Sequence, residues 1–284
     1  MNYTIKNDIL TVQIASLGAE LMSIVKDGVE YVWQGDPKYW RGRAYNLFPT
    51  CGRMVDGKYT YKGDIYEMKI HGLVRYTECE VYEHTEDRIV FTLESNEETR
   101  KIYPFDFKYF AEFSLNGDTL TTKYTAINTG DGVMYATFGG HPGFNVPLDN
   151  GDFDDYYLEF SEKCEPREAI FSDGSFVPFP IRDNQFIDLR HSLFDNDSFF
   201  LVDAADAMTL KSKISERSVT VSYPGYKYIG VWHAPQTDAP YVCIEPWWGS
   251  PARAGGYADL ETMQDMYEFA PGDTQSVSFD IIIK

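Results

Sequence analysis

Paired cysteines, long apolar runs and surplus positive charge are all missing from this 284-residue chain. Its four cysteines, Cys51, Cys79, Cys164 and Cys243, stand far apart with no C-x-x-C pair. That spacing argues against a zinc or redox motif and fits reduced thiols in a cytoplasm. No stretch of about 18 consecutive apolar residues occurs, and the N-terminus "MNYTIKNDILTVQIAS" has no basic segment followed by an apolar run. Neither a membrane span nor an export signal is therefore expected. With 25 basic side chains against 44 acidic ones the net charge is −19, a field that repels nucleic-acid backbones and anionic membranes. A small molecule is the expected partner, and a local cluster of arginines could still hold a phosphorylated one. The five histidines, His71, His84, His141, His191 and His233, show no H-x-H or H-E-x-x-H spacing. No metal is expected, since a site would need ligands gathered from distant segments. Nor is there a G-x-S-x-G elbow or a phosphate-binding G-x-x-x-x-G-K-[ST] loop, so hydrolase triads and nucleotide binding lack support.

What the chain does have is alternation. In "FKYFAEFSLNGDTLTTKYTAIN", Phe107, Tyr109, Ala111, Phe113 and Leu115 share one face, the turn "NGD" follows, and Leu120, Thr122, Tyr124 and Ala126 continue it. This two-residue period predicts a hairpin. Similar signals occur around Gly63-Asp64, in "RIVFTLES", in "SVTVSYPG" and in the final "SVSFDIIIK". Amphipathic helices are scarce, and only short pieces are expected near 36–43, 161–170 and 258–266. No linker or low-complexity run divides the sequence, so residues 1–284 are expected to form one domain. Open sheets seldom exceed about ten strands, and a chain of this length must fold its strands back on themselves. The expected fold is all-β: a large antiparallel β-sandwich with few short helices.

Four stretches could carry chemistry. In "FGGHPGF", Gly139 and Gly140 allow close backbone approach, and Pro142 biases His141 toward an extended conformation. Within these residues nothing decides between a turn histidine and a proton donor. In "PYVCIEPWWGSPAR", alternation puts Tyr241, Cys243 and Glu245 on one face, and Pro246 is expected to end the ladder just after the glutamate. Flanked by Trp247 and Trp248, Glu245 could have its pKa raised by desolvation, as a general base near neutral pH requires. In "NLFPTCGRMVDGKY", Arg53 offers a fork of donors to hydroxyls, carboxylates or phosphate. In "KIHGLVRY", His71 precedes a glycine at the end of a short apolar strand, with Arg75 nearby. Cys51 and Cys243 have no context that would lower a thiol pKa and are read as packing residues.

Taken in order and at this spacing, these four stretches resemble the aldose 1-epimerase family of galactose mutarotase-like enzymes, and especially its LacX-like branch. The resemblance spans essentially the whole chain and implies a large antiparallel β-sandwich. It also implies an isomerase that interconverts the α and β anomers of a hexose by acid and base catalysed ring opening, without a cofactor. Family roles map the general acid to His141 and the general base to Glu245, with Arg53 and His71 lining the sugar site. A sugar-binding aspartate is implied between the two catalytic residues, where "HSLFDNDSFFLV" offers Asp195 and Asp197, the latter favoured. Three alternatives stand beside this reading: a hexose-6-phosphate epimerase using Arg41, Arg43, Arg53 and Arg75, a non-catalytic carbohydrate-binding protein, and a glycosidase, which would need two carboxylates. The state in solution is expected to be monomer or homodimer.

Overall fold

The alternation between residues 107 and 128 becomes the longest ladder of the fold. In the computed structural model, which describes residues 1–284, strands Phe107–Asn116 and Thr119–Asn128 pair antiparallel in unbroken register from Phe107↔Asn128 to Asn116↔Thr119. Gly117, at φ +60°, takes the positive-φ position that a two-residue hairpin loop demands. Every residue assigned to the inner face of this hairpin is buried. The hairpin lies in a nine-stranded sheet and is extended on one side by Thr274–Ile283 and on the other by Arg88–Glu94, whose Ile89, Phe91 and Leu93 are likewise buried. Around Gly63 the hairpin signal is displaced by one residue. Tyr61 pairs with Asp64, and Lys62-Gly63 form the loop, both at positive φ.

A second large sheet has seven strands, labelled here β1 (Ala44–Leu47), β2 (Gly139–Asn145), β3 (Arg167–Ile170), β4 (Ser175–Pro178), β5 (Phe199–Val202), β6 (Tyr228–Trp232) and β7 (Tyr241–Trp247). Their order across the sheet is β4-β3-β5-β6-β7-β2-β1, and all neighbours run antiparallel. The two sheets pack face to face through aromatic side chains. Phe48, just after β1, sits 4.8 Å from Tyr109 and 5.5 Å from Phe107 between ring centroids. Gly140 shows how tight this packing is, because a Cβ there would lie 2.8 Å from the Phe279 ring of the opposite sheet. The expected antiparallel sandwich is thus the observed architecture. Small sheets close its ends, including the meander of Asn2–Lys6, Thr11–Ala15, Leu21–Lys26 and Val29–Glu30.

The three expected helices are not formed. At 36–43 a single turn starts, with Tyr39 and Trp40 amides on the Asp36 carbonyl. The Trp33 indole then takes the Trp40 carbonyl at 2.8 Å, and Gly42 follows. Residues 161–170 contain Pro166 and end as strand β3, while Ala258–Asp259 pairs in parallel with Tyr59-Thr60. The one α-helix is Glu97–Ile102, which starts where the Asn96 side chain accepts from the amides of Glu98 and Thr99. Pro246 does not end its strand either. β7 runs on to Trp247, with Pro246 opposite Ile229. The strand survives because its ladder to β2 is interrupted between the pairs Gly139↔Trp247 and Gly143↔Cys243, and Pro142 and Pro246, neither with an amide hydrogen to place, both fall in that gap.

His71 also departs from expectation. The preceding strand ends at Glu67, and His71 lies in a loop at φ +68°. Gly72 follows at φ +80°, bridged to Phe48 so closely that a Cβ would stand 2.2 Å from the Phe48 carbonyl oxygen. Backbone, unlike a side-chain tip, cannot swing away. Gly72→Ala should therefore lower stability by at least about 2 kcal/mol, seen as a reduced urea midpoint at unchanged m-value.

Candidate functional site

One row of side chains crosses the seven-stranded sheet on the face turned away from the core. Tyr45 of β1 pairs with His141 of β2, Glu245 of β7 pairs with Gly230 of β6, and Gly230 pairs with Phe200 of β5. The register on either side of the β2–β7 gap places His141 directly opposite Glu245. The two side chains meet there, with His141 Nε2 3.3 Å from Glu245 Oε2. This approach lacks hydrogen-bond alignment, and both Oε2 and His141 Nδ1 have no hydrogen-bond partner. The pair is nearly dry, with His141 7% and Glu245 1% exposed. Gly230 completes the row by absence. A Cβ at this position would reach within 2.3 Å of the Phe200 ring, so glycine lets that ring fill the space beside the glutamate.

Burial penalises a charge on either partner. It pushes the His141 imidazole down to about 3, with the Arg75 guanidinium adding to the effect. It pushes the Glu245 carboxyl well above its usual range, reinforced by the Asp197 carboxylate and opposed only by the Trp247 indole. Together the two groups form an acid–base pair for which carrying one proton between them, rather than none or two, avoids a net buried charge.

The pair lies at the base of a cleft of about 470 Å³, an ordinary size for a small-molecule site. Arg53, His71 and Asp197, the residues the family resemblance implies for the sugar site, all line it. His71 is held by the loop it contacts. The Gly52 amide donates to its Nδ1 at 3.2 Å, which leaves the proton of the neutral ring on Nε2. Burial, then the neighbouring His141 and two arginines, keep its pKa well below the usual range. Between the two aspartates considered, Asp197 lines the cleft and Asp195 does not. Asp197 accepts from the Trp232 indole at 2.8 Å and sits at φ +84°, just past the short 3₁₀ turn His191–Phe194. Among the arginines, Arg75 joins Arg53 in the cleft and stacks its guanidinium 3.5 Å above the Tyr45 ring. Arg41 and Arg43 lie outside it, and Arg43 is engaged by the Gln34 carbonyl.

Several site residues escaped the sequence reading. Trp40 stacks on the His141 ring at 4.9 Å, and Trp232 meets the same ring edge-on at 5.5 Å. Both come from segments with no fixed spacing to His141, and Trp40 falls in a stretch expected to be helical. Trp247 does flank the site, whereas Trp248 points away and packs with Tyr226 and Tyr267. Behind Asp197 lies a pair of histidines. His233 is fully buried and bonds the Ala234 carbonyl through Nδ1 at 2.7 Å. Its Nε2 is then an acceptor for His191 Nδ1 at 3.2 Å. Since His191 opens the turn before Asp197 and Trp232 precedes His233, the two histidines tie together both sides of the Asp197–Trp232 hydrogen bond.

A β-sandwich with a buried histidine–glutamate pair under an aromatic, arginine-bearing cleft is a scaffold for proton transfer to a small polar ligand. The model of the aldose 1-epimerase family matches residues 1–253, and the chain belongs to that family. It is 32% identical to the chromosomal LacX protein of Lactococcus lactis subsp. lactis, over all of this chain and 99% of that one. Among solved structures, a galactose mutarotase related enzyme from Lactobacillus acidophilus superposes with a TM-score of 0.92 at 33% identity, covering 100% of this chain and 97% of that one. A galactose mutarotase-like protein from Lactobacillus casei gives the same TM-score at 28% identity, with both chains fully covered. Family membership makes the protein an isomerase with a carbohydrate substrate. No helix is long and apolar enough to cross a membrane.

The buried histidines set an acid limit on this site. Burial lowers His233 from 6.5 to about 4, the Asp195 carboxylate and the Ala234 carbonyl opposing the shift and His191 adding to it. Between those values the unfolded chain binds a proton that the folded chain refuses, so stability present above pH 6.5 is lost as the pH falls toward about 4. His71 and His141 act with the same sign. A plot of Tm against pH should fall across this window, and His233→Gln should make the fall shallower.

Proposed function

We propose that the protein interconverts the α and β anomers of a free aldohexose, with Glu245 as general base and His141 as general acid. The observation that carries this reading is the 3.3 Å approach of His141 Nε2 to Glu245 Oε2 at the base of the cleft. The anomeric O1 and the ring O5 are bonded to the same carbon, two bond lengths apart through C1, so an acid and a base acting on them must themselves be close neighbours. Ring opening takes the O1 proton to Glu245 while the C1–O5 bond breaks, its electron pair going to O5 with a proton from His141. The C1–O1 bond becomes the aldehyde. Rotation about C1–C2 presents the other carbonyl face, and closure returns both protons with roles reversed. Arg53, His71 and Asp197 would bind the sugar hydroxyls, and Trp40, Trp232 and Phe200 give apolar walls to the faces of the ring. No step calls for a cofactor.

One further observation supports a narrower alternative. Arg53 and Arg75 are the cleft's cations, and neither forms an ion pair, Arg75 even leaving a buried Nε without a partner. In a chain of charge −19 this suits an anionic substituent on the sugar, as in a hexose 6-phosphate. Anomer exchange followed by NMR over a panel of free and phosphorylated aldoses separates the two readings by their kcat/KM.

His141→Asn and Glu245→Gln should each reduce kcat by about 10²–10⁴ with near-UV circular dichroism unchanged. Near wild-type exchange in either folded variant would exclude the assignment. Because burial raises the Glu245 pKa, the folded state pays for an ionised carboxylate increasingly as pH rises above the ordinary value of 4.5. Glu245→Gln removes this cost, and its Tm should exceed that of wild type by a margin that widens with rising pH.

A further inference from the structure

No H-x-H or similar spacing hints at a metal site, yet the sheet brings three ligand types together. Cys243 lies two residues before Glu245 on β7 and so projects on the same face. Its Sγ, a nitrogen of His141 and a carboxylate oxygen of Glu245 all lie within 4.8 Å of one another, and all three residues are buried. Gly143 pairs with Cys243, and its lack of a Cβ leaves room for the Trp40 ring beside the buried sulfur, since a Cβ there would stand 3.0 Å from Trp40 and 3.2 Å from Sγ. Of the cluster's residues, Glu245 Oε2, which faces His141 Nε2, is buried without a hydrogen-bond partner, as is His141 Nδ1 on the far side of the ring. Unpartnered acceptors in a dry site are costly to keep and available to a cation.

We propose that Cys243, His141 and Glu245 form a binding site for a thiophilic divalent cation such as Zn²⁺, and that its occupancy switches the enzyme off. The mixed S, N and O donor set favours Zn²⁺ over Mg²⁺, which takes oxygen ligands. Tetrahedral bonds of about 2.0–2.3 Å hold ligand atoms roughly 3.5 Å apart, so the cluster must contract by about an ångström. A thiolate and a carboxylate neutralise the dication, and the protons that they carried leave to solvent. The fourth position opens toward the cleft, where a water completes the shell. The inhibitory half of the proposal rests on the acid–base roles given above, because a metal-bound Nε2 or Oε2 has no lone pair left for a sugar proton. The binding half does not.

The two halves separate in one experiment on the full-length, EDTA-treated protein. Titration with ZnCl₂ by calorimetry should give one site per chain. Titration with CoCl₂ should give the near-ultraviolet sulfur-to-cobalt charge-transfer band that reports a thiolate ligand. Cys243→Ala and Cys243→Ser, each checked for folding by its melting curve, should lose the band and weaken Zn²⁺ binding by at least about ten-fold while keeping anomer exchange. Wild-type exchange should stop at one equivalent of Zn²⁺ and return with EDTA, whereas both variants keep turning over. Absence of Zn²⁺ binding, binding unchanged in both variants, or equal binding of Mg²⁺ would overturn the site. Binding without loss of exchange would overturn the inhibition alone. If wild type exchanges no anomers under any condition, the proposed function fails, and calorimetry and the cobalt band still decide the metal site.

Discussion

Two groups that each prefer water are held against one another in a nearly dry gap between strands β2 and β7, and much of the site's construction serves to keep them there. A continuous ladder would have filled the space with backbone hydrogen bonds. Instead Pro142 and Pro246 occupy the interruption, the strands resume their register on both sides, and His141 faces Glu245 across it. Resumption of the same register is what makes the geometry stiff. Neither side chain can slide along its strand without disturbing the pairs that flank it. A proline at 142 also keeps His141 extended, as expected, and the segment is a strand rather than a turn.

Around this gap, space is allocated by glycine and filled by aromatic rings. Gly230 admits Phe200, Gly143 admits Trp40 beside the Cys243 sulfur, and Gly139 makes room for Trp247. The same strand meets the second sheet through Gly140, where only a hydrogen fits under Phe279. β2 is therefore thin on both faces at the point where chemistry is expected. Rings stacked on His141 exclude water from it without offering a hydrogen bond, which is why burial dominates the shifts of both His141 and Glu245. Arg75 sits further out, where its charge disfavours a proton on His141.

Sequence and structure agree most where the physics is local. The alternation of residues 107–126 needs only a two-residue period and one glycine turn, and both faces came out as read. The His141–Glu245 pair was legible through its motif context rather than its spacing, since nothing within "FGGHPGF" reports a glutamate about a hundred residues away. Trp40 and the His191–His233 pair were not legible, because their roles arise from tertiary packing between segments of unrelated pattern. The helices expected at 36–43, 161–170 and 258–266 failed for a related reason. Weak amphipathic patterns in short segments were overridden by the Trp33 indole taking a carbonyl, by Pro166, and by pairing with Tyr59-Thr60. Pro246 does not end its strand because the ladder to β2 is already interrupted where it falls.

A burial that penalises charge would seem hostile to acid–base catalysis, which needs one partner ionised. The proposed relay avoids the difficulty by never changing the net charge of the pair. When the sugar's O1 proton passes to Glu245 and a proton from His141 passes to O5, one proton enters the pair as another leaves. Before and after, the site holds the same number and the same net charge, but the closed-ring pair carries a Glu245 carboxylate and a His141 imidazolium that the open-chain state discharges, and burial favours those neutral forms. Low dielectric then helps rather than hinders. By lowering the imidazole and raising the carboxyl it reverses their usual order, so that burial favours passing a proton from His141 to O5 and from O1 to Glu245. Ring closure runs the same transfers backward, with the Glu245 carboxyl as acid and His141 as base, so each group serves in both directions.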